Sequence, residues 1–124
     1  MIQMETILNI MDNSGAKNVK CIKVPKTSKK KKGRLKHIMI GSVQNIKPGK
    51  KVIKGSVMPI LISRTKKNYV RNDGSFLRFS DNSGIVLSEK RNSPIASRSF
   101  GPSPLELKKD KNLKQISAIL NKVY

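Results

Sequence analysis

The sequence predicts a mainly β protein, a small closed barrel or sandwich followed by two short helical pieces. Three observations carry this. The apolar residues fall in short blocks that alternate or are β-branched. Turn signals separate the blocks. Near the end the apolar spacing changes from about two residues to helical spacing.

The first block is Ile7–Ile10, and Val19-Lys20-Cys21-Ile22-Lys23-Val24 is the second. Ile38-Met39-Ile40, with Val43 and Ile46, makes a third. Residues 57–62 and 85–87 supply two more. These lengths and the Val/Ile enrichment suit strands, whose pleated surface packs branched side chains well. Asp12-Asn13-Ser14-Gly15, Lys47-Pro48-Gly49-Lys50, Asn72-Asp73-Gly74-Ser75 and Asp81-Asn82-Ser83-Gly84 read as turns. Asp73-Gly74, between Tyr69-Val70-Arg71 and Phe76-Leu77-Arg78-Phe79, predicts a hairpin with a two-residue type I′ turn. Leu77 and Phe79, two apart, are expected to share a core-facing side of it.

Ser103-Pro104-Leu105-Glu106 then has the form of a capping box, with Ser as N-cap and Pro at the first helical position. A helix is expected to start there. Leu113, Ile116 and Leu120, with Ile119 and Val123 alongside, predict a second helix capped by Asp110 or Asn112. The 124 residues fit one domain, 1–124, with a β-body over about 1–100 and a helical segment over about 103–124.

Between Asp12 and Asp73, residues 13–72 contain no carboxylate and hold eighteen of the 27 Lys and Arg residues, out of a net charge of +20. Such one-signed charge repels itself in a compact fold unless a polyanion neutralises it. Nucleic acid is the partner it implies. The candidate phosphate contacts are Lys17, Lys20, Lys23, Lys29, Lys30, Lys31, Lys32, Arg34, Lys47, Lys50, Lys51, Lys54, Arg64, Lys66, Lys67, Arg71 and Arg78. In strands, the apolar residues can face inward while these bases form an outer surface. The basic run within residues 26–36 reads as a loop or arm that orders against phosphate. With five aromatic residues and no Trp, phosphate and 2′-OH contacts to structured RNA fit better than base stacking.

Other function classes find little support. Cys21 is alone, so neither a disulfide nor a cysteine zinc site is expected, and it reads as a small buried hydrophobe. His37 is also alone and reads as a surface or RNA-contacting residue. Asp12, Asp73 and Asp81 each sit in a turn, where capping backbone N–H groups is the ordinary role of the side chain. No cofactor, metal or catalytic group is therefore expected, and the protein reads as non-enzymatic. The longest uncharged stretch, residues 55–63, is too short to span a bilayer. The opening Met1-Ile2-Gln3-Met4-Glu5 is not a secretory signal.

Taken in order, several motifs make a resemblance. Met1-Ile2-Gln3, Leu8-Asn9, Asp12-Asn13-Ser14-Gly15-Ala16 and Cys21-Ile22-Lys23-Val24 come first. Arg64-Thr65-Lys66-Lys67, Asp73-Gly74-Ser75, and Phe79 with Asn82 follow. Arg98, Phe100-Gly101-Pro102 and Glu106-Leu107 close the set. Over nearly its whole length the chain resembles the universal large-subunit ribosomal protein family L-fourteen, of bacterial and organellar type. The resemblance implies a small five-stranded β-barrel with a projecting β-hairpin and two short C-terminal helices. It implies large-subunit rRNA and neighbouring large-subunit proteins as partners, and contact with small-subunit rRNA through intersubunit bridges. It also implies an exposed face, carried by Ser97, Arg98 and Lys114, that a ribosome silencing factor could use; no membrane is involved. The chain departs from the family with Ala96-Ser97-Arg98-Ser99 in place of Gly-Thr-Arg-Ile, with Pro59 and Ile85 in place of Ala and Val, and with His37 and Ser56 where Asp is common. A start at Met1 and a Lys/Ile/Asn bias point to a gene in an organelle genome and a mitochondrial ribosome, with plastid or bacterial cytoplasm as alternatives. A free basic RNA-binding module, such as a translation factor or nucleic-acid chaperone, is the competing reading of the charge.

Overall fold

The structure, a computed structural model, describes residues 1–25, 32–90 and 93–124. Its strands are β1 (Ile7–Ile10), β2 (Ala16–Lys23), β3 (Ile38–Ile46), β4 (Val57–Arg64), β5 (Tyr69–Val70), β6 (Phe76–Leu77), β7 (Ser83–Val86), β8 (Pro102–Ser103) and β9 (Lys122–Val123). Between β8 and β9 come α1 (Leu105–Lys109), a 3₁₀ turn (Lys111–Leu113) and α2 (Lys114–Ile119). Five strands close a barrel in the order β1-β2-β3-β4-β7, as the resemblance implies. Neighbours are antiparallel except at the seam, where β7 runs parallel to β1. No described helix is long and apolar enough to cross a membrane.

Alternation fills the barrel. Leu8, Val19, Cys21, Met39, Val43, Ile60, Ile62 and Val86 point into one buried cluster, which Ile2 joins. Ile2 is held there by a two-way backbone bridge to Gly33. β4 over residues 60–63 and β7 are buried on both faces, in line with the unbroken apolar runs at residues 60–62 and 85–87. Leu61, Ile85 and Leu87 face away from the barrel interior and meet Leu107, Leu113 and Ile116 of the C-terminal segment in a second cluster. The helices therefore cap one wall of the barrel. Burial pushes the Cys21 thiol up, which keeps it protonated, in line with a buried hydrophobe.

One carboxylate extends the seam. Asn9 and Met11 donate to the carbonyls of Asn82 and Gly84, the regular parallel ladder. β1 then ends, and the next donor on β7, Val86 N–H, is met by Asp12 Oδ2 at 2.9 Å. A side chain thus supplies the rung that the backbone no longer offers. Asp12 Oδ1 accepts from the N–H and hydroxyl of Ser14. Burial pushes the Asp12 carboxyl above its usual range against the pull of these donors.

Four local expectations need correction. The hairpin turn is not type I′. Arg71 N–H bonds to Ser75 O, Gly74 N–H bonds to Arg71 O, and only Gly74 has positive φ, at 85°. This is a three-residue loop with a type I turn and a glycine bulge. Asp73 selects it by capping the Ser75 N–H, an arrangement local to the turn. The first helix starts after Pro104, not at a Ser103 cap. Ser103 lies in β8, paired with β9, and its hydroxyl is buried without a partner among the described residues. Glu106, the expected partner in the capping box, is taken by Arg71 instead. Val123 lies in β9, outside the second helix, whereas Asp110 does cap, by accepting from Asn112 N–H in the 3₁₀ turn. Leu77 and Phe79 are half-buried and belong to neither core cluster.

Asp12→Ala leaves the buried N–H of Val86 unsatisfied, and it should cost about 1–3 kcal/mol, read from urea denaturation at neutral pH. A cost near zero would remove the Asp12 rung from the account.

Candidate nucleic-acid interface

The turn at residues 12–15 organises one face. The Asn13 side chain reaches the segment at residues 97–98: its Nδ2 donates to Ser97 Oγ at 3.0 Å, and its Oδ1 accepts the N–H groups of Ser97 and Arg98. The Asn13 N–H in turn donates to Arg98 O at 3.3 Å. Ser97 and Arg98 are left exposed, with the Arg98 guanidinium 6.0 Å from the Phe100 ring. One residue on, Ser99 ties the segment to α2 by donating its N–H and hydroxyl to Ile119 O. Lys114 is exposed at the start of that helix. The three residues of the expected exposed face thus sit on two segments bound to each other.

Gly15 brings in the β3–β4 loop. Its φ of 108° suits only glycine, and a Cβ there would collide with Lys50. Gly15 O also accepts from Lys47 N–H at 2.8 Å. Lys47, Lys50, Lys51 and Lys54 are all exposed on this loop. Lys50 and Lys51 border an open cleft of about 470 Å³ with Asn13 and Ser97. Lys17 and Lys23 are exposed on β2.

A second basic group gathers around the N-terminus. Arg34 and Lys67 border a cavity of about 270 Å³ with Met1 and Tyr69. Burial, then the charges of Lys67 and Lys32, hold the Met1 amine below its usual range. Lys32, Arg34, Lys66 and Lys67 are exposed, as is Arg78 beyond the hairpin. Lys29, Lys30 and Lys31 lie outside the described residues.

Three candidates are paired with carboxylates of the chain itself. Lys20 pairs with Glu5 at 2.6 Å. Arg64, with 13% of its side chain exposed, donates to Ser83 Oγ and pairs with Asp81. Arg71 holds Glu106 with two bonds, of 2.6 and 3.2 Å, and donates to the main-chain oxygen of Tyr124. This latch joins the hairpin to the C-terminal segment. Nothing in the local sequence signals it, because its partners are 35 and 53 residues away. Asn13 was likewise legible only as a turn residue.

His37 is half-buried, and its Nδ1 accepts from Arg34 N–H at 3.2 Å. Burial and the charge of Arg34 push its pKa down, so it is neutral at pH 7. Asp73 caps the Ser75 N–H within its own turn, whereas Asp12 adds a bond to Val86 across the seam and Asp81 pairs with the Arg64 guanidinium instead of capping its turn. Among the described residues no three His, Cys, Asp or Glu side chains gather as a metal-binding group.

The fold and this surface define a small basic β-barrel protein whose lysines face outward on connecting loops. The family model described as Ribosomal protein L14p/L23e matches residues 1–123. The chain belongs to this family and is a large-subunit ribosomal protein.

Burial raises the Glu106 pKa, but the hydrogen bonds and charge of Arg71 outweigh it and hold the carboxyl below its ordinary 4.5. A depressed carboxylate stabilises the fold above its ordinary pKa, and that contribution is lost as pH falls through the lower, folded-state value. The native chain should therefore exceed Glu106→Gln in urea midpoint at neutral pH, with the gap closing below pH 4.5. A gap independent of pH would show that the latch is not ionic.

Proposed function

We propose that the protein is a non-enzymatic structural constituent that binds large-subunit rRNA at the subunit interface and supports intersubunit bridges. The observation that carries this is the placement of charge. The stretch at residues 13–72 has no acid of its own, and its exposed lysines lie on the β3–β4 loop, on β2 and around the N-terminus. Such loops can follow an A-form backbone by phosphate and 2′-OH contacts without entering the deep groove. The main contacts in this reading are Lys17, Lys23, Lys32, Arg34, Lys47, Lys50, Lys51, Lys54, Lys66, Lys67 and Arg78.

Ser97, Arg98 and Lys114, with Ser97 in the same cleft as Lys50 and Lys51, are directed to the small subunit, to neighbouring large-subunit proteins, or to a silencing factor that blocks joining. The anchoring of residues 97–99 to Asn13 and Ile119 supports this, because it presents Arg98 on fixed backbone. The ribosome in question is an organellar one, mitochondrial by the Lys/Ile/Asn bias of the chain.

Each neutralised phosphate releases counterion, so with roughly ten contacts log K for rRNA should fall with log[salt] at a slope of about −7 to −9. Filter binding at several salt concentrations measures it, and a flat dependence contradicts the electrostatic reading. Arg98→Ala should enter large subunits normally and impair subunit joining or silencing-factor docking, as read by gradient sedimentation. Loss of incorporation would instead place Arg98 in the rRNA contact.

A further inference from the structure

A cleft of about 460 Å³ opens between the projecting hairpin and the C-terminal strand. Phe79, Pro102 and Tyr124 give it a mostly apolar lining, and Arg78, Lys122 and Asn121 complete it. No Asp or Glu side chain borders it. The side chains of Arg78, Lys122 and Asn121 have no protein partner among the described residues, and all three are exposed.

The two rings stand on fixed backbone. Phe79 N–H donates to Thr65 O at 3.2 Å. Tyr124 N–H donates to Ser103 O at 2.9 Å, and Tyr124 O accepts from Leu105 N–H and from Arg71. Tyr124 is nevertheless 57% exposed. An exposed ring on an anchored main chain is a platform that loses little freedom on binding.

We propose that this cleft receives a single unpaired RNA base. Phe79 and Tyr124 offer π-surface to the base. Arg78 and Lys122 meet the phosphates on either side of it. The Asn121 amide can bond the base edge, since it carries both donor and acceptor. Charge selects RNA over an apolar side chain from a protein: two free cations with no acidic side chain beside them complement a polyanion, and an apolar plug would leave them unpaired. The inference rests on the rRNA reading and adds to it a contact that lattice-like phosphate binding does not supply.

The test compares two RNA hairpins, one with a bulged nucleotide and one with an abasic ribose at the same place, so that phosphate count is equal. The full chain should bind the first roughly five- to 150-fold more tightly, the range that base–aromatic stacking supplies. Tyr124→Ala keeps the main-chain bonds and should abolish the preference between the two hairpins. In assembled large subunits, ultraviolet cross-linking should yield a nucleotide adduct on Phe79 or Tyr124. Equal affinity for the two hairpins, a preference that survives Tyr124→Ala, or a cross-link from Tyr124 to a neighbouring protein would each overturn the base slot while leaving phosphate binding intact. Failure to bind either hairpin would overturn the rRNA reading as well.

Discussion

Where β1 leaves the sheet, the Asp12 carboxylate takes the Val86 N–H and extends the seam of the barrel by one rung. The next residues of the same turn attach the surface to that seam. Asn13 fixes the segment bearing Ser97 and Arg98, and Gly15 lets the lysine loop pack close to the turn. A barrel has no free edge, but it must be closed somewhere, and here the last rung of the closing seam and the presentation of the exposed face share four residues. The burial of the carboxylate is the cost, and three donors offset it.

The charge distribution follows a similar division. Lys20, Lys36, Arg64 and Arg71 all come from the acid-free stretch, and each is paired with a carboxylate from outside it: Glu5, Asp110, Asp81 and Glu106. The few acids are thus placed where they cross-link distant parts of the chain. The Arg64 and Arg71 pairs are the better shielded from solvent and count for more than the exposed Lys20–Glu5 pair. The exposed lysines on the loops meet no such acid, which leaves their charge directed outward.

The strand blocks were legible because a strand buries alternate residues, and the seam turn, the hairpin position and the Asp110 cap were legible because turn chemistry is local. The errors arose where a distant group competed for a residue. Ser103 and Glu106 have the spacing of a capping box, yet β9 recruits the first into a sheet and Arg71 takes the second. Asp73-Gly74 fits two hairpin loops, and the Ser75 N–H, by reaching Asp73, favours the longer one. Leu77 and Phe79 alternate as core residues do, but the hairpin projects from the barrel and offers them no core to enter. At the interface, the type of charge was readable while its use was not: Lys66 and Lys67 are exposed, and their near neighbours Arg64 and Arg71 are engaged inside the protein.

The central claim is that one turn both extends the seam of the barrel and holds the exposed face in place. Amide hydrogen exchange in Asn13→Ala tests it most directly. The account predicts that Ser97 and Arg98 N–H groups lose protection while Val86 and the β3–β4 ladder keep theirs, since Asp12 remains. Unchanged protection at Ser97 and Arg98 would contradict it.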